Sequence, residues 1–233
     1  MSSPWPLILL PGMGTDAQIF ALQRSVFPQI LVPPWLPPTR GETLPAFAAR
    51  MAASLDFRGP CIVGGVSFGG FVALEMARHL DARGCILISS LRGPQELPRW
   101  AKVGAPLAWL LPPRADRWLS LGGWLMLKTL GPVLPQRLRG VCTHLSKTRA
   151  PLLAWATRAV VRWQTDGAWP CPIHQIHGDA DPLFPLRCTG PDQIVPRGGH
   201  LLTLTHPFVV NAFLERVLLQ IHSSNARSRS EPE

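Results

Sequence analysis

Ile62-Val63-Gly64-Gly65-Val66-Ser67-Phe68-Gly69-Gly70 is the stretch whose reading decides the fold. It joins an apolar run, residues 61–65, to a pattern over residues 69–80 that places Val72, Met76 and His79 at helical spacing. Between them stands G-x-S-x-G, with a glycine two positions to either side of Ser67. A strand that turns directly into a helix forces the residue at the turn into a strained backbone conformation. It also leaves no room for side chains two positions away, which is what the glycines supply. Such a turn presents the serine hydroxyl at the carboxyl edge of a sheet, where ligands enter open α/β folds. The helix start beneath it directs N–H groups at a developing negative charge.

Outward from this stretch, short apolar runs alternate with helical patterns, the signature of a parallel sheet covered on both faces. Strands are predicted at Leu7–Leu10, 29–32, 61–65, 85–89, 173–177 and Gln193–Val195. Helices are predicted over 16–24, over 43–56 with Thr43 as cap, over 69–80, and over 208–221. The expected architecture is an α/β core, residues 1–90 and 169–222, built on a mostly parallel six-stranded sheet flanked by helices. An insertion at 91–168 reads as a helical cap, and 223–233 as a mobile polar tail.

Serine is a poor nucleophile at neutral pH and needs a base, which in turn needs an orienting acid. Both follow downstream, in loops after predicted strands: Gly178-Asp179-Ala180-Asp181-Pro182, then Gly198-Gly199-His200 ahead of the last helix. In the chain they stand in the order Ser, Asp, His. The other histidines fit less well. His79 lies on a helix face, His174 and His177 in or at the end of a strand, His144 in the insertion, and His206 beside a proline where a capping or packing role suffices. Asp179 is the alternative acid, with a turn role of its own.

Composition bounds the rest. The chain has 233 residues, 46% hydrophobic and 16% charged, which excludes a disordered chain of low hydrophobicity. Leu7–Leu10 is too short, and too devoid of preceding basic residues, for a secretory signal, and no run approaches the ~18 apolar residues of a spanning helix. The five cysteines are odd in number and lack C-x-x-C spacing, so neither a disulfide framework nor a zinc site is expected, and Cys61 and Cys85 read as small buried hydrophobes. A cytoplasmic location follows as the expectation. The net charge of +9 is concentrated in residues 92–162, where twelve Lys/Arg face only Glu96 and Asp116, alongside five of the nine tryptophans, with a sixth, Trp163, next in the chain. This is a cationic face, and it could attract anionic substrates or associate weakly with an anionic membrane surface. No recognised motif accompanies the charge, so nucleic acid is not expected as a partner.

The chain resembles the α/β-hydrolases, and among them the small bacterial members with a short helical cap. The resemblance rests on Leu10-Pro11-Gly12-Met13-Gly14-Thr15-Asp16, on Gly65–Gly69, on residues 177–185 and on Gly198-Gly199-His200-Leu201, in that order. It implies Ser67 as nucleophile, His200 as general base and then acid, and Asp181 as the carboxylate that orients it. It implies an oxyanion hole from the backbone N–H groups of Phe68 and Met13, although many relatives carry His-Gly where this chain has Pro11-Gly12. It also implies a chain that begins at the family's third strand, without the two leading antiparallel strands. The expected activity is a serine hydrolase cleaving a small-molecule ester or thioester with an apolar acyl group, with no metal or organic cofactor. Passing the same acyl-enzyme to an alcohol or thiol would make an acyltransferase, and a non-catalytic module for anionic ligands or membrane surfaces is the reading from another class.

Overall fold

Residues of each central strand alternate between two apolar layers, as a period of two requires of a sheet buried on both faces. Ile8, Leu10, Cys61, Val63, Cys85 and Leu87 enter one core, and Leu7, Leu9, Ile62, Val66, Ile86 and Ile88 the other. The computed structural model describes residues 5–99 and 150–230. Along them run β1 (Leu7–Leu10), a 3₁₀ turn (Ala17–Phe20) leading into α1 (Ala21–Arg24), β2 (Ile30–Leu31), α2 (Leu44–Ala53), β3 (Pro60–Val66), α3 (Phe68–Ala77), β4 (Asp81–Ile88), α4 (Ala150–Val161), β5 (Ile173–Gly178), β6 (Gln193–Val195), α5 (Leu202–Thr205) and α6 (Pro207–Ser230).

The six strands form one sheet in the order β2-β1-β3-β4-β5-β6, every neighbouring pair parallel. Register pairs Leu10 with Gly65, Val66 with Ile88, Ile88 with Ile176, and Gly178 with Val195. The carboxyl ends therefore reach one rim together, and the loops carrying residues 11–14, Ser67, Asp181 and His200 all leave from it. The helix starts follow local chemistry. Thr43 accepts from Ala46 N–H ahead of α2, and Asp16 accepts from Gln18 N–H ahead of the 3₁₀ turn.

Most predicted elements shift by one to three residues at their ends, and three departures are larger. β4 begins at Asp81, four residues before the apolar run, because Asp81 and Ala82 pair with Pro60 and Cys61 across a register shift. The short helix α5 has no counterpart among the predicted elements. α6 continues to Ser230, well past residue 221, and Ser223 Oγ donates back to Leu219 O at 2.9 Å, a side-chain bond that polar residues can make within a helix. The helical cap expected at 91–168 falls mostly on residues 100–149, which lie outside the described residues. Its C-terminal part, α4 with Trp163 and Trp169, packs against the first core. No helix among the described residues is long and apolar enough to cross a membrane.

Candidate active site

Ser67 sits between β3 and α3 at φ 53° and ψ −122°, a conformation few residues other than glycine adopt. Neighbouring groups force it there. A Cβ on Gly65 would run into the backbone of Gly69, and one on Gly69 into the carbonyl oxygens of Leu10 and Pro11. The turn is pinned from three sides. Ser67 N–H donates to Ile88 O at 3.0 Å, Gly70 N–H donates to Ser67 O at 2.9 Å, and Ser90 Oγ donates to the same carbonyl at 2.8 Å. Nothing in the sequence pattern marks Ser90; only the pairing of β4 beside β3 brings it there.

Asp181 and His200 approach from the far side of the sheet. Their loops are joined by Ala180 N–H donating to Gly198 O at 3.0 Å, and Asp179 N–H donates to Val195 O at 3.2 Å. Asp179 itself is exposed, while Asp181 is buried. Asp181 Oδ2 lies 2.8 Å from His200 Nδ1, and His200 Nε2 lies 2.8 Å from Ser67 Oγ. Asp181 Oδ1 accepts from the N–H groups of Leu183 and Phe184 at 2.8 and 3.0 Å. Burial by itself raises the Asp181 carboxyl. The hydrogen bond and charge of His200, with smaller help from Phe184 N–H and His177, outweigh it and hold the group below its usual range. An ionised carboxylate only accepts, so His200 Nδ1 carries the hydrogen and Nε2 turns its lone pair toward the Ser67 hydroxyl.

The other expected residues are also located. Phe68 is the first residue of α3, so its N–H has no partner within the helix. A Cβ on Gly12 would lie 3.7 Å from Ser67 Cβ, which puts the loop carrying Met13 beside the serine, with Thr15 Oγ1 and Thr15 N–H fixing that loop through Gly12 O at 2.9 and 3.1 Å. His79 is exposed, and His206 Nδ1 lies 2.9 Å from Thr205 Oγ1; neither is among the partners of Ser67 or Asp181. His144 lies outside the described residues. Burial pushes the Cys61 thiol up to about 12 and the Cys171 thiol up to about 11, so both stay protonated near neutral pH. No group of His, Cys, Asp and Glu among the described residues could hold a metal ion.

Aromatic rings gather beside the turn. Phe68 lies 5.6 Å from Trp35, 6.0 Å from Trp155 and 6.5 Å from Phe71, centroid to centroid. Trp155 also stands 4.4 Å from Phe47 and donates Nε1–H to Glu42 O at 2.8 Å. Two of the tryptophans expected in the insertion, Trp155 and Trp163, are thus fixed against the core. A separate cavity of about 450 Å³ lies at the opposite end of β5 and β6, lined by Ile173, His174, Asp192, Phe213 and Arg216, and includes none of the residues around Ser67.

A model of the alpha/beta hydrolase family matches residues 7–213. Among solved structures, a thermophilic esterase from Thermogutta terrifontis superposes with a TM-score of 0.71 at 20% identity, covering 95% of this chain and 92% of that one. MenH from S. aureus gives a TM-score of 0.68 at 15% identity over 95% and 96% of the two chains. A putative lipase from Acinetobacter baumannii AYE gives 0.68 at 16% identity over 96% and 86%. No curated protein matches the sequence.

Proposed function

The chain belongs to the alpha/beta hydrolase family, and from that premise we propose that it is a serine hydrolase cleaving a carboxylic ester or thioester whose acyl group is apolar. The observation that carries the proposal is the unbroken chain from Asp181 Oδ2 through the imidazole of His200 to Ser67 Oγ, with both contacts at 2.8 Å. Its links are an ionised acceptor, a ring fixed in one tautomer, and a hydroxyl presented by a strained turn, which together make a nucleophile and its base.

In this reading Ser67 Oγ attacks the substrate carbonyl carbon while His200 Nε2 takes its proton. The carbonyl π pair moves to oxygen, and the N–H groups of Phe68 and Met13 hold the resulting oxyanion. That pair returns to reform the carbonyl, the bond to the leaving alkoxide or thiolate breaks, and the leaving group takes the proton from His200. Water then gives a proton to His200 as it attacks the acyl carbonyl, the new oxyanion collapses with cleavage of the bond to Ser67 Oγ, and His200 returns its proton to Ser67 Oγ as the acid leaves. Pro11-Gly12 leaves this scheme intact because the donor at Met13 is a main-chain group. The rings of Phe68, Trp35, Trp155 and Phe71, packed beside Ser67, make that side of the site apolar, and this supports an apolar acyl group in the proposed reading.

The test is a series of p-nitrophenyl and coenzyme A esters of graded acyl length, assayed with the wild type and Ser67→Ala. The proposal expects turnover by the wild type that rises with acyl length and vanishes in the variant. Turnover that persists in Ser67→Ala would overturn it. Adding a competing alcohol or thiol and weighing the products separates hydrolysis from acyl transfer.

A further inference from the structure

We propose that His177 is a positioning residue for the reaction: it fastens the Asp181–Phe184 loop so that the carboxylate and the imidazole of His200 stay aligned. The inference rests on the serine-hydrolase reading and extends it to a side chain that reading leaves unused. His177 lies near the end of β5 with no exposed surface, four residues before Asp181. Its Nε2 is 2.7 Å from Phe184 O and 3.4 Å from Asp181 Oδ2. Both neighbours accept, so Nε2 carries the hydrogen and points between them.

The loop is held at three points by this arrangement. Phe184 N–H donates to Asp181 Oδ1, Phe184 O accepts from His177, and the Phe184 ring stands edge-on to the His200 ring with centroids 5.3 Å apart. Movement of Phe184 would therefore disturb Asp181 and His200 together, and His177 is the side chain that ties Phe184 O to the sheet. Packing alone does not account for a histidine here. Its Nδ1 is buried without a hydrogen-bond partner, a desolvation cost that an apolar side chain of similar size would avoid. His177 touches neither Ser67 nor the substrate in this scheme, so it acts through Asp181 and Phe184.

The test compares His177→Leu, which removes the N–H, with His177→Gln, whose amide can place an N–H where Nε2 stood. kcat, KM, thermal midpoint and the rate of fluorophosphonate labelling are read for each. The leucine variant is expected to lose about 10²-fold in kcat and in labelling rate, with KM and thermal midpoint held, and the glutamine variant to recover most of the loss. His177→Asn, as polar as glutamine but one bond too short, replaces leucine in the comparison if that chain does not fold. A leucine variant with wild-type kcat, or a glutamine variant no better than leucine or asparagine, overturns the inference and leaves the serine-hydrolase reading standing. A folded wild type that takes no label overturns both.

Discussion

The two faces of the sheet are built from the same strands yet packed in different ways. On one, β1, β3 and β4 meet α2, α3 and α4 through aromatic rings: Phe47, Phe68, Phe71, Trp155 and Trp163. Polar ties cross the same face. Trp163 Nε1–H donates to the buried Glu75 at 2.6 Å, and Arg78 lies 3.3 Å from Glu75 while pairing with Asp166 and standing over the Trp169 ring. On the other face, Leu7, Leu9, Ile62, Ile86 and Ile88 meet α5 and α6 through mostly aliphatic side chains, with the rings of Phe20, Phe27 and Phe213 spaced among them. Aliphatic packing is tolerant and non-directional, and it holds the sheet. Rings, the Trp163–Glu75 bond and the Arg78 ion pairs are directional, and they fix both α4 with the chain after it and the environment of Phe68 beside Ser67. The difference teaches that the two faces hold one sheet by different means, and in the proposed reading the aromatic face sets acyl selectivity while the chemistry lies on the rim between them.

The contrast can be broken or sharpened by substitution. The largest effect belongs to the rim: Ser67→Ala should lower kcat by about 10⁶-fold, with the thermal midpoint little changed, as read by ester hydrolysis and calorimetry. Next comes the aliphatic face. Phe213→Ala should cost about 3–5 kcal/mol in denaturant unfolding while kcat per folded molecule is kept; a change in acyl preference there would erase the distinction between the faces. On the aromatic face, Trp163→Phe keeps the ring against Phe71 but removes the N–H from Glu75. It should cost about 1–3 kcal/mol, less than Phe213→Ala, again by denaturant unfolding. The smallest effect is a pH slope. The Asp181 carboxyl is held below its usual value of 3.8, so the stability its charge contributes is full above that value and lost as pH falls through the lower folded one. Asp181→Asn removes that part of the titration, and its stability should decline less steeply than the wild type as pH falls below about 4.

The outline of this molecule was legible because its strands are short apolar runs and its turns carry glycine. Leu7–Leu10 and Gln193–Val195 coincide with their observed strands, and G-x-S-x-G stands where β3 gives way to α3. Polar chain that pairs through its backbone was less visible. Asp81 and Ala82 join β4 without an apolar pattern, and residues 223–230 extend α6 without an apolar face that marks them. Around the site, Ser67 and His200 could be singled out from spacing and residue type, since each stands just after a strand, whereas the choice of Asp181 over Asp179 came from the resemblance to the α/β-hydrolases. Ser90, His177 and Phe184 could not, because their contacts join residues that only the parallel register and the return of the Asp181 loop bring together. A histidine four positions ahead of the acid, at the end of a buried strand, is the signal that could have marked His177.

The most direct test of the central claim is covalent. The native protein is treated with a fluorophosphonate, digested, and the modified peptide is sequenced by mass spectrometry. The account predicts one adduct, on Ser67 Oγ, absent when the protein is unfolded beforehand and suppressed in His200→Ala. A natively folded protein that takes no label, or takes it at another side chain, would contradict it.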